Sequence, residues 1–232
     1  DPGIQLKHLE MTLKVLEDYK HQLTYDIVAF PQHGLLRSKV EPLIREAMSM
    51  GATHVGGVDP ATVDRNIDRS LETMVDIAVE TGKEIDIHIH DPDTLGVFTF
   101  EKLVDLIKQS KLENKVTISH AHALGHIKED KEMFQNIAQM LAEVGIDITS
   151  TIPIGSPTIP VRELDLLGVQ VSVGHDSLMD HWSPFGTGNT IEKLSVLAER
   201  FRFIDEISLS QLWKYGSGIS PLTEDGEQQW PK

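Results

Sequence analysis

In Glu84-Ile85-Asp86-Ile87-His88-Ile89-His90-Asp91, isoleucine and a polar residue alternate from Glu84 to His90. A period of two marks a β-strand, whose successive side chains point to opposite faces. Ile85, Ile87 and Ile89 then share one face, and Asp86, His88 and His90 share the other. Isoleucine on one face implies burial, and buried polar groups on the other need partners. A bound metal ion supplies them. So does a hydrogen-bond network with no chemistry in it. The stretch alone leaves both open.

Outward from this strand the pattern repeats. Further strands are expected at residues 25–30, 53–58, 115–119, 146–151 and 169–174. Helical spacing falls between them: Leu9, Leu13 and Leu16 in 6–20, a segment near 39–50, then Ile67, Leu71, Met74, Val75 and Ala78 up to Thr81-Gly82. Phe100, Leu103, Val104 and Ile107 mark another helix, as do Met133, Phe134, Ile137 and Leu141. A short helix is expected around 161–167, one through Ile191, Leu194, Ala198 and Phe201, and a last short one at 209–213. Each unit takes about 30 residues, the length that parallel strands with helical crossovers require. An open doubly wound sheet and a stretch of (β/α)8 TIM barrel both fit. A dinucleotide-binding sheet carries a Gly-rich phosphate loop after its first strand. Phe30-Pro31-Gln32-His33-Gly34 stands there instead, and no Walker-type loop occurs elsewhere. Polar residues collect after successive strands, where a barrel places its active site. The reading is α/β, a barrel, with residues 1–232 in a single domain and no linker or repeat.

Composition narrows the partners. The chain has 232 residues, no cysteine and a net charge of −15. Disulfides, thiolate metal sites and thiol nucleophiles are excluded, and a cytoplasmic location fits. The acidity argues against nucleic acid and acidic lipid surfaces. No apolar run approaches the roughly 20 residues of a membrane span, and no signal peptide is visible. A small-molecule substrate is the expected partner, and a homo-oligomer is allowed.

Three strand mouths carry candidate chemistry. His88 and His90, two residues apart on one face, can reach one ion, because neutral imidazole is a common metal ligand. Asp91 follows at the mouth, where a carboxylic acid can donate a proton or merely cap a helix. Ser119-His120-Ala121-His122 ends the next strand, and one of its two histidines is expected to be structural. Gly174-His175-Asp176 ends the last, where Asp176 can bind a metal and accept a proton from its water. Gln32 can bond a planar amide or heterocycle through its donor and acceptor, and Trp182 can stack on such a ring. Both can equally be structural. Asp59 and His54 remain unassigned. A serine-hydrolase elbow and a His-Glu-x-x-His helix are both absent.

Phe30-Pro31-Gln32-x-Gly34, the His88 strand, Ser119-His120, and Gly174-His175-Asp176 followed by Trp182-x-Pro184-x-Gly186-Thr187-x-Asn189 resemble the cytosine deaminase branch of the amidohydrolase superfamily. The resemblance implies a (β/α)8 barrel holding one divalent metal ion, zinc or iron, with the six strands here as barrel strands three to eight. Strands one and two, the paired metal histidines of strand one and a small β-sandwich would lie outside this chain, making it part of a longer protein. His88 and Asp176 would be two of four metal ligands. His120 would contact substrate and the attacking water, Gln32 and Trp182 would line the substrate pocket, and His90 would face substrate rather than metal. Two positions depart from the branch: Ile89-His90-Asp91 replaces Cys-Asp-Glu, so Asp91 takes the proton donor's place with a shorter reach, and Ser177 replaces a second aspartate. The implied activity is hydrolysis or deamination at a C–N bond of a cyclic amidine or amide by metal-activated hydroxide. The alternatives are an amidohydrolase acting on an N-substituted amide or amine, and a non-catalytic barrel remnant.

Overall fold

The computed structural model describes residues 2–153, 155 and 157–217. Its elements alternate as the sequence predicts: α1 (Lys7–Tyr19), β1 (Val28–Ala29), α2 (Glu41–Met50), β2 (His54–Val58), α3 (Ile67–Thr81), β3 (Glu84–His88), α4 (Asp93–Ser110) and β4 (Val116–Ser119). Then come α5 (His122–Ile127), α6 (Lys131–Glu143), β5 (Asp147–Ser150), α7 (Val161–Leu166), β6 (Val171–Val173), α8 (Thr190–Phe201) and α9 (Glu206–Ser217).

The six strands are all parallel and lie in chain order, β1 to β6. A doubly wound sheet reverses its order at a switch point. Strict sequence order, each strand joined to the next through helix, is instead the wall of a barrel. The register aligns Val58, His88, Ser119, Thr149 and Ser172 across five neighbouring strands. The chemistry-bearing residues that follow those positions therefore emerge at one end of the sheet.

The alternation of β3 is reproduced by burial. Ile85, Ile87 and Ile89 are fully buried. With Ile118 and Ile148 they belong to the same core as Leu71, Met74, Ile77, Phe100, Leu103 and Ile107 of the helix layer. The opposite face is part-buried and polar, and its hydroxyls pair across strands. Ser119 donates to Asp86 at 3.0 Å, and Thr149 and Ser172 share a hydrogen bond of 2.9 Å. Helix ends follow side-chain chemistry. Asn66, Asp130 and Asn189 accept from the first turns of α3, α6 and α8, and Gly82 ends α3 in the left-handed conformation.

Three expectations shift in detail. The segment 25–30 pairs only through Val28 and Ala29, whose ladder runs to β2 alone among the described strands. The last helix is longer than expected, Glu206–Ser217. Helix α5 has no counterpart in the sequence reading, because six residues are too few for a helical period to show.

Gly56 marks the tightest approach between strands. A Cβ there would lie 2.5 Å from the Ala29 carbonyl oxygen and 2.8 Å from Phe30 Cα. Both are backbone atoms and cannot step aside. Gly56→Ala should therefore destabilise the fold by about 1–3 kcal/mol, as overpacking does, measured by urea denaturation. A neutral substitution would contradict the packing of β1 on β2.

Candidate active site

Four strand ends build the site. β3 stops at His88, and Ile89 still pairs with β4 through its N–H to Ser119 O at 3.1 Å, so His90 and Asp91 lie just past the ladder. Asp59 follows β2 and donates its N–H to His88 O at 3.0 Å. His120 follows β4 and donates its N–H to Thr149 O at 2.8 Å. Asp176 lies beyond β6. Three of these residues hold left-handed backbone conformations: Asp59 at φ 37°, His120 at φ 71° and Asp176 at φ 66°. Asp and His enter this region more readily than most residues, and such strain gathers at functional sites.

The side chains converge. His88 Nδ1 and His120 Nε2 are 3.2 Å apart. Asp176 Oδ1 is 3.7 Å from His120 Nε2 and 4.0 Å from His88 Nδ1. A point equidistant from these three atoms lies roughly 2.1 Å from each, within the zinc–nitrogen and zinc–oxygen bond lengths of about 2.0–2.2 Å. His88, His90 and His120 also form a group of imidazoles with ligand atoms within 4.8 Å of one another, able to hold a divalent ion.

Electrostatics separates the three histidines. Burial lowers the pKa of His120 to about 3, with the neighbouring imidazoles acting in the same direction. Burial also lowers His88, against the opposing pull of Asp86 and Asp176. Both are therefore neutral, the form that offers a lone pair to a metal. His90 goes the other way. Asp59 Oδ2 meets His90 Nδ1 at 2.8 Å and Asp59 Oδ1 accepts the His90 N–H at 2.6 Å, and the side-chain bond raises His90 against its burial. Burial works to raise Asp59, but the bonds from His90 outweigh it and hold the carboxyl below its ordinary value. Behind His88, Asp86 Oδ1 stands 3.6 Å from Nε2, and burial raises the Asp86 carboxyl.

The remaining expected residues sit at different depths. Asp91 is 2% exposed. Its Oδ1 accepts from Thr62 at 2.7 Å, its Oδ2 is buried without a partner among the described residues, and burial raises its pKa. Gln32 is exposed and lies two residues past Phe30, whose ring stands 4.4 Å from that of His88. Trp182 is 87% exposed, its N–H bonded to Asp180, so the structure does not bring its ring into the cluster. His122 lies against His90 and His120, with ring centroids 5.3 and 5.6 Å away. Asp59 is the residue that sequence reasoning missed. Its signal was present: Val58-Asp59-Pro60 ends a strand just as Ile89-His90-Asp91 does.

A parallel barrel wall with imidazoles and a carboxylate converging at its C-terminal mouth is the arrangement of a barrel enzyme's active site, with donors able to hold a divalent ion. The amidohydrolase family profile matches residues 8–214, and the chain belongs to that family. Over its full length it is 41% identical to the uncharacterized protein YahJ of Escherichia coli (strain K12), of which it covers 50%. Among solved structures it is similar to N-isopropylammelide isopropylaminohydrolase from Burkholderia multivorans, with a TM-score of 0.90 and 28% identity over 94% of this chain and 56% of that one. It is also similar to 5-methylcytosine deaminase from Klebsiella pneumoniae bound to phosphonocytosine, with a TM-score of 0.79 and 26% identity over 92% and 55%. The chain spans about half the length of the curated relatives it matches. No helix among the described residues is long and apolar enough to cross a membrane.

The Asp59–His90 pair makes a pH-dependent prediction. A raised imidazole stabilises the fold fully below its unfolded pKa, and that stability is lost as pH rises through the folded value. A lowered carboxylate stabilises above its unfolded pKa, and that stability is lost as pH falls through the folded value. The stability difference between wild type and Asp59→Asn should therefore be largest between the ordinary values of 3.8 and 6.5, and shrink on both sides. In the same variant the His90 resonance should titrate at a lower pH by NMR. An unshifted His90 titration would sink the pairing.

Proposed function

We propose that this chain carries the catalytic mouth of a hydrolase that cleaves an exocyclic C–N bond on a cyclic amidine or amide, with a divalent ion, zinc or iron, as cofactor. The observation that carries the reading is the triangle of His88 Nδ1, His120 Nε2 and Asp176 Oδ1, with edges of 3.2, 3.7 and 4.0 Å. His88 and Asp176 would hold the ion, His88 as a neutral imidazole and Asp176 as a carboxylate, with His120 beside them facing the attacking water. Imidazole and carboxylate donors suit zinc and iron alike. When bound, the ion supplies Lewis acidity that lets water be deprotonated near neutral pH.

The protein's own groups do the rest. Asp176 takes the proton of the attacking water, because its carboxylate lies beside both imidazoles and remains part-exposed. His120, held rigidly by its backbone bond to Thr149, orients the water and then the developing oxyanion. Two groups can protonate the departing nitrogen. Asp91 is kept towards its neutral acid form by burial, with Oδ2 unbonded. His90 presents its second ring nitrogen while Asp59 fixes the first, and its side chain is 40% exposed. Exposure makes His90 the more reachable donor. Gln32, and Trp182 if its loop folds inward on binding, would contact the ring of the substrate.

The leaving group is the finer question. Ammonia is the product of a deaminase, and an alkylamine is the product of an N-dealkylating hydrolase. The higher structural likeness, a TM-score of 0.90 against 0.79, favours the alkylamine. Assays of the full-length protein on N-alkylamino-triazines, cytosine and isoguanine, with product identified as amine or ammonia, decide between them. His88→Ala and Asp176→Ala should each lose bound metal and most activity. Retention of both would refute the mechanism. His90→Gln should lower kcat about a hundredfold or more and leave metal content intact. If Asp91→Asn shows that pattern instead, Asp91 is the acid.

A further inference from the structure

Two arginines at the mouth have no part in this chemistry. Arg37 lies in the loop after β1 and Arg65 in the loop after β2, on the same end of the sheet as His88 and His120. The chain carries 36 acidic against 21 basic residues, yet among the described residues neither guanidinium has an ion pair or hydrogen bond. Both line one open pocket of about 370 Å³, with Leu36, Val63 and Asp64.

The single acid in that pocket is already engaged. Asp64 accepts the N–H of Leu35 at 3.2 Å, the N–H groups of Leu36 and Arg37 at 3.0 Å each, and the Ser70 hydroxyl at 2.6 Å. Four donors occupy the carboxylate's acceptor sites, leaving little room for either guanidinium to bond it. Asp64 is also the chain neighbour of Arg65. One carboxylate thus ties the backbones of both arginines together. Arg65 sits at φ 57°, a conformation that costs energy in any residue with a Cβ. Gly34 at φ 89° completes the clamp: a Cβ there would lie 2.3 Å from Asp64 Oδ1, so only glycine lets the loop pass. The pocket continues into a second, of about 430 Å³, which shares Arg37 and Val63 and reaches Gln32.

We propose that Arg37 and Arg65 form an anion subsite for an acidic group carried by the substrate. The substrate class is then a C–N compound bearing a carboxylate or similar anion away from the reacting carbon. The placement relative to that carbon rests on the proposed function, through Gln32. Guanidinium forks match carboxylate geometry, and two of them on backbones tied to one carboxylate favour an anion against the repulsion of a chain with net charge −15.

The experiment measures, by calorimetry at low salt on the full-length protein, the affinities of an N-carboxyethylamino-triazine and its N-propyl counterpart. Wild type should bind the acid about tenfold more tightly, the scale of two exposed arginine–carboxylate contacts at low salt. Arg37→Gln and Arg65→Gln should each cut that preference several-fold, and the double variant should abolish it. The affinity for the propyl compound should not change. A preference that survives in the double variant, or is absent in wild type, overturns the proposal. Inorganic phosphate is titrated separately, reading the arginine side-chain NMR signals. Saturable shifts at Arg37 and Arg65 support the subsite even if neither triazine binds, in which case the proposed function fails alone. No shifts and no preference overturn the subsite itself. Phosphate binding without a preference for the acid keeps an anion site and overturns its link to the substrate.

Discussion

The structure depends on one constraint: β3 must bury isoleucine on one face while carrying ionisable groups on the other. Ile85, Ile87 and Ile89 are sealed against α3 and α4, which fixes the strand's rotation and leaves no freedom in where Asp86 and His88 point. A slip of one residue would drive imidazoles into a dry core. The register with β2 and β4 follows from the same burial, and with it the heights at which Asp59 and His120 leave their strands. The site is thus a by-product of packing. Its geometry is as rigid as the core beneath it.

Around that core, each ionisable group has its own environment. His88 and His120 are desolvated and close together, so neither holds a proton easily. His90 is next door but has a carboxylate of its own and is pushed towards the charged form. One mouth therefore holds neutral imidazoles and a carboxylate-paired imidazole side by side, their protonation set apart by environment. Further out, Asp64 turns its oxygens to three backbone amides and the Ser70 hydroxyl rather than to the two arginines beside it.

Much of this was legible in the sequence. Strand period, helical spacing and the lack of a Gly-rich loop led to a barrel wall, and the likeness to metal hydrolases placed His88, His120 and Asp176 together. The strand-end position of Asp59 was legible but its partner was not, because the pairing joins it to His90, 31 residues away in the chain. Trp182 is the opposite case. Its motif is local and recognisable, but the loop conformation decides whether the ring faces pocket or solvent, and here it faces solvent.

By itself the sequence determined the order and type of the elements, the face of each strand that is buried, and which residue types stand at the mouths, because periodicity and turn chemistry are local. Only the tertiary structure decided which of the clustered imidazoles is neutral and which is paired, and that His120 Nε2 lies within reach of both His88 and Asp176. Desolvation and charge depend on neighbours that the chain brings together from distant segments. No local pattern encodes them.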